Sequence, residues 1–267
     1  MKKIFPERRR SIYLTLLILF TQSISATDYL VSHDIRSFTL GDIHALSEEL
    51  LNPAALSFSG TTEAGLTVFN RFNMKELNTA SLYLKYPNRW LDGGSKLSVF
   101  GYKDYQIIYL QIALAKKVHS SLSLGIHFNY LNESSILKEN REGYYSSHFG
   151  AWYVPCEKIN LALLIENLLS STNKNPVNGY LGIKYLPLES IFFLAEGKYL
   201  NQKHFSFSLG LEYLINKQFI LRSGFQVNPE LPSFGITYLF GRWNLSTGFS
   251  FHTILGINSS IGISVGL

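Results

Sequence analysis

The chain ends in the stretch RWNLSTGFSFHTILGINSSIGISVGL, residues 242–267, which contains two runs of strictly alternating side chains. The apolar-face residues of the two runs are Trp243, Leu245, Thr247, Phe249, Phe251, Ile261, Ile263, Val265 and Leu267. A period of two predicts strands with one apolar and one small polar face. A strand of a soluble sandwich can alternate in this way, but a barrel in a membrane must finish on a full strand that closes against the first. The pattern therefore favours a transmembrane β-barrel.

The composition of the 267-residue chain agrees with a protein that has one face in lipid. Charged residues make up 16% of the chain and aromatic residues 14%, whereas soluble domains carry about 25% charged residues. The mean hydropathy of +0.07 is too low for a bundle of membrane-spanning helices. No shift in composition and no Pro/Gly/Ser-rich linker divides the chain, so the sequence predicts one domain.

The N-terminus has the layout of a secretory signal peptide. Basic residues at 2–3 and 8–10 precede the apolar run IYLTLLILF at 12–20, and the small-residue segment SISA ends near Ala26. A membrane anchor is the alternative, but a spanning helix needs about 20 apolar residues. We predict a cleaved signal peptide over residues 1–26 and placement in the bacterial outer membrane. Most of the positive charge leaves with this peptide, so nucleic acid is not an expected partner.

Residues 27–60 are not strand-like and are predicted to form a plug. In DIHALSEELL, residues 42–51, apolar side chains recur at helical spacing and Asn52-Pro53 follows as a stop signal. We expect a short amphipathic helix here, placed in the barrel lumen or across its periplasmic mouth. An appendage outside the barrel is the alternative, because an amphipathic face of this kind fits any apolar groove.

The rest of the chain, residues 61–267, divides into segments of about ten residues, the length of a tilted strand that crosses an outer membrane. We predict fourteen strands, at 64–73, 77–86, 95–103, 105–116, 120–131, 144–154, 158–168, 178–186, 190–200, 204–214, 217–227, 232–240, 242–252 and 258–267. The connections alternate between short turns and longer polar loops such as 132–143, with 87–94 as a longer exception among the short ones. That asymmetry is typical of outer-membrane barrels.

Alternation also assigns nearly every charge within the strands to the lumen, since a basic residue facing lipid at mid-depth costs roughly 2–4 kcal/mol. The predicted luminal charges are Arg71, Lys85, Glu166, Lys184, Glu196, Lys198, Glu212 and Arg222. These residues form either a polar constriction that contacts a ligand or a set of salt bridges that brace the wall and the plug. Both signs are interspersed on neighbouring strands, which favours the salt bridges.

The segment SFTLGDIHALSEELLNPAALSFSG, residues 37–60, resembles the N-terminal signature of the FadL-type fatty-acid channels and the related PorV/PorQ-type barrels of the type IX secretion system. The matching positions are Gly41, Asp42, Ala45, Leu46, Asn52, Pro53, Ala54, Ala55 and Leu56. The resemblance implies a barrel with an N-terminal hatch in its lumen. For the fatty-acid channels it also implies a path for a hydrophobic ligand.

Three functions follow as hypotheses. The first is a passive channel or binding barrel for a hydrophobic or small solute, held in outer-membrane lipid. The second is a non-transporting protein that docks an envelope or secretion partner, as the PorV-type resemblance implies. The third is a barrel enzyme, which we do not expect, because alternation places the Ser and His candidates of two neighbouring strands, Ser123, His127, Ser146 and His148, in the lumen. The sequence shows no metal-ligand cluster and no cofactor motif.

Overall fold

A computed structural model of the chain describes residues 33–48, 50–136, 142–172, 175–200 and 204–267. The predicted signal peptide, residues 1–26, lies outside the described residues. Within them the chain forms a closed barrel of fourteen antiparallel strands in which each strand pairs with its neighbours in sequence and β1 pairs with β14. The predicted fold class and strand number are confirmed.

The fourteen strands overlap the fourteen predicted segments one to one. They are β1 Glu63–Asn70, β2 Asn78–Tyr86, β3 Asp92–Tyr102, β4 Tyr105–His119, β5 Leu122–Ser135, β6 Glu142–Cys156, β7 Ile159–Ser170, β8 Asn178–Leu188, β9 Ile191–Leu200, β10 His204–Leu214, β11 Phe219–Val227, β12 Leu231–Phe240, β13 Trp243–His252 and β14 Gly256–Gly266. The largest shift is at β5, which ends four residues beyond the predicted end. Strand β3 begins three residues before the predicted start, which shortens the connection after β2. A 3₁₀ turn, Lys75–Leu77, precedes β2.

The outer surface of the barrel is a belt of large apolar side chains. On β14, Ile261 and Ile263 are exposed while Ser260 and Ser264 are buried, and the same alternation runs along the other strands. An exposed apolar band of this size is typical of a surface that faces lipid, because water would strongly disfavour it. The polar residues of each strand therefore line the lumen.

The two rims of the barrel differ in their connections. One rim, below called the short-turn rim, carries turns of two to five residues. Its connections are β2–β3, β4–β5, β6–β7, β8–β9, β10–β11 and β12–β13. The opposite rim, below called the long-loop rim, includes the connections β1–β2, β5–β6 and β7–β8, which span six or seven residues. Among the described residues, no helix has the length and apolarity to cross a membrane.

The described residues before β1 lie inside the barrel. Residues 33–48 and 50–60, below called the luminal segment, contain a short helix α1, Ile35–Thr39, a 3₁₀ turn, Pro53–Ala55, and a one-turn helix α2, Leu56–Ser59. Asp34 caps α1 by accepting a hydrogen bond from the backbone N–H of Ser37. The segment packs against the inward faces of strands on both sides of the lumen, with α1 on β11–β14 and the 3₁₀ turn on β4–β6.

The helix predicted over residues 42–51 is absent from the described residues 42–48 and 50–51, and the prediction is wrong. Gly41 and Asp42 adopt left-handed backbone angles with φ of 79° and 60°, and the following described residues form turns. The apolar spacing arises because the barrel surrounds this stretch on all sides. Ile43, Ala45 and Leu46 are each at most 1% exposed and the intervening His44 is 6% exposed, so burial does not follow one helix face.

Closure of the barrel through β14 can be tested by placing a charge on its lipid-facing side. Ile261 lies at the middle of β14 and is paired with Val68 of β1 and Thr247 of β13. We expect Ile261→Arg to cost about 2–4 kcal/mol and to reduce the fraction of protein that shows heat-dependent gel mobility after refolding into lipid. Thr253→Arg, in the exposed β13–β14 turn, is the control. Equal behaviour of the two variants would contradict a lipid-facing closing strand.

Candidate functional site

Glycines of the barrel wall allow the luminal segment to lie directly against the strands. Nine inward-facing glycines would each bring an added Cβ within 3.4 Å of an atom of this segment: Gly94, Gly125, Gly150, Gly182, Gly210, Gly224, Gly235, Gly248 and Gly262. The closest approach is at Gly224, where a Cβ would lie 2.0 Å from the backbone N of Gly41. At Gly125 and Gly224 the nearest atoms belong to the backbone, which cannot move aside as a side chain can, so these two positions are open to glycine alone. The luminal segment therefore packs on a wall surface whose glycines leave room for it.

The Asn52-Pro53-Ala54 element fastens the middle of the luminal segment. The Asn52 side chain is fully buried, donates to the carbonyl groups of Ala45 (2.7 Å) and Leu163 (3.3 Å), and accepts from the backbone N–H of Ala54 (3.0 Å). Pro53 begins the 3₁₀ turn, where its missing N–H costs nothing. This element connects two parts of the luminal segment to β7.

Glu212 on β10 connects the wall to α1. Its carboxylate accepts from Nε of Arg36 at 3.0 Å and from Nε of Arg222 at 2.6 Å. Arg222 faces Glu212 directly in the β10–β11 register, and Arg36 also donates to the carbonyl of Leu46 at 3.0 Å. Burial disfavours a charged guanidinium, but the carboxylates of Glu212 and Glu48 outweigh it and raise the pKa of Arg36 above its ordinary value. Arg36 therefore stays charged inside the barrel.

Strands β8 and β9 hold the turn after α1. Glu196 has no exposed surface and accepts from the backbone N–H groups of His44 (3.0 Å) and Ala45 (2.6 Å). Lys198 donates to the carbonyl of Asp42 and lies 3.4 Å from its carboxylate. Lys184 is 2.6 Å from the carboxylate of Glu48. Each of these charges on the wall meets a group of opposite sign or polarity on the luminal segment.

His44 sits at the centre of this contact. Its Nδ1 lies 3.2 Å from Glu166 and its Nε2 3.2 Å from Asp42, while its ring stacks on Tyr180 at 4.8 Å between centroids. Burial disfavours the protonated ring, but the two carboxylates outweigh it and raise the pKa of His44 to about 10. His33 has the opposite shift, because burial dominates and lowers its pKa to about 4. His44 is therefore a cation and His33 is neutral at pH 7.

The structure buries all eight luminal charges that the sequence predicts. Lys85 pairs with Glu63 of β1 at 2.7 Å, and Arg71 donates to Thr79 at 2.9 Å but lies just beyond the end of β1 rather than within it. The partners that sequence reasoning missed are Arg36, His44 and Glu48 of the luminal segment. Glycines on otherwise polar strand faces are the signal that could have located this segment against the wall.

Above the luminal segment lies a cavity of about 420 Å³ that reaches the connections of the long-loop rim. The luminal segment contributes its floor, with Phe38, Asp42 and His44 among the lining residues. Aromatic and amide side chains dominate the walls: Phe69, Phe72, Tyr180, Asn70, Asn167, Asn175, Asn178, Asn228 and Asn258. A cavity of this size and mixed lining is typical of a small-molecule site.

The Ser and His candidates for catalysis are found on the luminal faces of β5 and β6. His127 and His148 are direct neighbours in the register, with ring centroids 5.8 Å apart. The hydrogen bonds of the two serine hydroxyl groups are to other residues. Ser123 donates to the carbonyl of Lys116, and Ser146 accepts from the side-chain amide of Asn129. In the described part of the chain, no group of three or more His, Cys, Asp or Glu side chains is arranged to hold a metal ion.

The chain is similar to known proteins in its structure. No family model matches the sequence, and no curated protein matches it. A TodX deltaS2S3 mutant monoaromatic hydrocarbon channel superposes with a TM-score of 0.71 at 14% identity, covering 90% of this chain and 100% of that one. The CymD monoaromatic hydrocarbon channel gives 0.67 at 13% identity, with 87% and 97% covered. A Pseudomonas aeruginosa FadL homologue gives 0.62 at 10% identity, with 87% and 97% covered. These likenesses show a shared barrel fold.

The seating of the luminal segment can be tested at Gly224. We expect Gly224→Ala to lower stability by about 1–3 kcal/mol, because the new methyl group would overlap the backbone of Leu40 and Gly41. Unfolding in urea measures this change. Gly197→Ala is the matched control, since an added Cβ there meets nothing within 4 Å. If both variants unfold at the same urea concentration, the contact at Gly224 does not hold the segment.

The charge state of His44 predicts a pH dependence. Because its pKa is raised from 6.5 to about 10 by folding, its contribution to stability is fully present below about pH 6.5 and is lost as the pH rises through about 10. We expect His44→Gln to lose that contribution, so that its stability difference from the wild type shrinks between these pH values in urea unfolding. His119→Gln, which removes an exposed histidine at the short-turn rim, is the matched control. A difference for His44→Gln that stays constant with pH would contradict the buried cation.

Proposed function

We propose that this protein is a passive channel or binding barrel for a small hydrophobic solute in the bacterial outer membrane, with the luminal segment as its hatch. The observation that carries the proposal is the cavity of about 420 Å³ that rests on the luminal segment, inside a closed barrel, beneath the long-loop rim. A solute that enters from this rim reaches a partly aromatic chamber with the luminal segment as its floor.

The packing below the cavity makes the luminal segment the barrier. The apolar cluster of Leu40, Ile43 and Leu46 packs against inward-facing residues of the wall, including Trp152 and Leu164. These side chains are at most 3% exposed. Passage along the barrel axis therefore requires a displacement of the segment, whereas binding in the cavity does not.

The class of solute is supported by the cavity and by the structural neighbours. Phe38 and Phe69 meet edge to face at 5.6 Å between ring centroids and line the cavity together. Two of the neighbours reported above are described as monoaromatic hydrocarbon channels. We infer export by the signal peptide of residues 1–26 and an outer belt in contact with outer-membrane lipid. We propose no enzymatic activity and no cofactor.

A reversible cross-link tests the hatch. A Cβ at Gly182 would lie 3.5 Å from the Cβ of Ala45, which falls within the range of about 3.5–4.5 Å for a disulfide. A Cβ at Gly182 would also lie 2.7 Å from Cγ of Leu46, so the cross-link is made in a Cys156→Ser, Leu46→Ala background that removes this overlap. There, Ala45→Cys with Gly182→Cys should tie the luminal segment to β8 when oxidised. We expect oxidation to reduce uptake of radiolabelled toluene at least tenfold in cells that lack other hydrocarbon channels, and reduction of the disulfide to restore it.

The single-cysteine variants Ala45→Cys and Gly182→Cys, treated in the same way, control for the oxidant. Equal uptake by the oxidised and reduced double variant would contradict passage past a moving segment. If neither the wild type nor the variant takes up more toluene than cells without the protein, the protein is not a channel for this solute. That outcome would favour the alternative implied by the PorV-type resemblance, a non-transporting protein that docks an envelope or secretion partner.

A further inference from the structure

The cavity above the luminal segment has two chemically different walls. In the closed strand order β1 lies opposite β8. The aromatic residues Phe69 and Phe72 stand at the end of β1, and Phe38 rises beside them from the luminal segment. His148 and Asn167 lie on the other side, on β6 and β7. A ligand that spans the cavity therefore meets the rings of Phe38 and Phe69 on one side and the polar groups of His148 and Asn167 on the other.

An irregularity in β7 creates the polar wall. The β6–β7 register shifts between Ser147 and Phe149, so that three residues of β7 lie opposite His148. Asn167, the middle one of the three, adopts a left-handed conformation with φ of 56°, which asparagine tolerates better than most residues. Its Nδ2 donates to the carbonyl of Pro176 at 3.2 Å. The side chain of Asn167 is thereby fixed at the cavity next to His148.

Two polar atoms of this wall have no hydrogen-bond partner. They are Nε2 of His148 and Oδ1 of Asn167, and both side chains are 4% exposed and line the cavity. The two side chains are close enough to interact across the irregularity, but neither of these two atoms makes a well-formed hydrogen bond. Buried polar atoms of this kind disfavour a ligand that cannot pair with them. A bare hydrocarbon would leave both atoms unpaired.

The ionised groups of the cavity already have partners on the protein. Asp42 and Glu166 face the cationic ring of His44 at 3.2 Å each, and Lys198 is held by Asp42. Arg71 donates to Thr79 and lies 5.8 Å from the ring centroid of Phe100. A carboxylate ligand would have to compete with these pairs. The unpaired atoms instead suit an uncharged group that both donates and accepts a hydrogen bond.

We infer that the cavity takes an uncharged aromatic solute that carries a hydroxyl group. The ring packs against Phe38 and Phe69, while the hydroxyl donates to Oδ1 of Asn167 and accepts from Nε2–H of His148. A hydroxyl group is both a donor and an acceptor, and the second bond requires the histidine tautomer with its proton on Nε2. This inference rests on the proposed function and narrows its solute class.

Three ligands with the same ring and a similar shape test the inference: p-cresol, p-xylene and 4-methylbenzoate. Binding is measured on the purified barrel in nanodiscs and corrected for partition into empty nanodiscs. We expect p-cresol to bind at least tenfold more tightly than either of the others. In His148→Phe, which keeps a ring but loses Nε2, the preference for p-cresol over p-xylene should fall towards one. His119→Phe, at the opposite rim, should keep the preference.

The outcomes separate the inference from the proposed function. Binding of p-xylene as tight as that of p-cresol would overturn the inference and leave a hydrocarbon site in place. Tightest binding of 4-methylbenzoate would overturn the requirement for an uncharged solute. An unchanged preference in a folded His148→Phe variant would overturn the hydrogen-bonded hydroxyl. No binding of any of the three ligands above empty nanodiscs would overturn both the inference and the proposed function.

Discussion

The position of the luminal segment in the barrel depends on the pairing of charges between the segment and the wall. Taking a charged group out of water is costly unless a partner of opposite charge or several hydrogen-bond donors replace the water. Glu196 has no exposed surface and is held by backbone N–H groups of the luminal segment. Glu212 is shared between Arg36 and Arg222. The wall and the segment thus each supply the hydrogen-bond donors or opposite charges that replace water around the buried charges of the other.

The same pairing makes displacement of the segment feasible. When the segment leaves the wall, water enters the lumen and hydrates the separated charges, so the lost attraction is offset by recovered solvation. The apolar contacts of Leu46 and the backbone contacts at Gly224 are lost without such compensation. The free energy that holds the segment in place therefore comes mainly from its close packing, while the charges fix its position.

The alternation of the strands was predictable because lipid and lumen impose opposite requirements on successive residues. That constraint acts on each strand separately and needs no knowledge of its neighbours, so the fourteen strands could be placed within a few residues. The stretch 42–51 has no such division, because Ala45 and Leu46 are enclosed by the wall in every direction. A spacing that suits a helix face therefore arose without a helix.

The seven buried charges that lie on strands were predictable for the same reason, whereas Arg71 lies just beyond β1. The partners of these charges were not predictable. The pairing of Lys85 with Glu63 follows from the register of two adjacent strands. The pairing of His44 with Glu166 joins positions 122 apart in sequence through a segment that follows no strand register. Asn167 enters the cavity only because β7 departs from regular pairing, and regular alternation cannot anticipate such a departure.

The floor of the cavity and the barrier of the barrel are the same structure, which constrains how a solute can act. A ligand shifts a conformational equilibrium only by its difference in affinity for the two states. A solute that packs on Phe38 contacts the luminal segment in its seated position, so this contact stabilises the closed state. Opening must then come from spontaneous displacement of the segment, and tighter binding on Phe38 makes it rarer. A solute that passes quickly is therefore one whose strongest contacts are with the wall residues of β6 and β7, which keep their places when the segment moves.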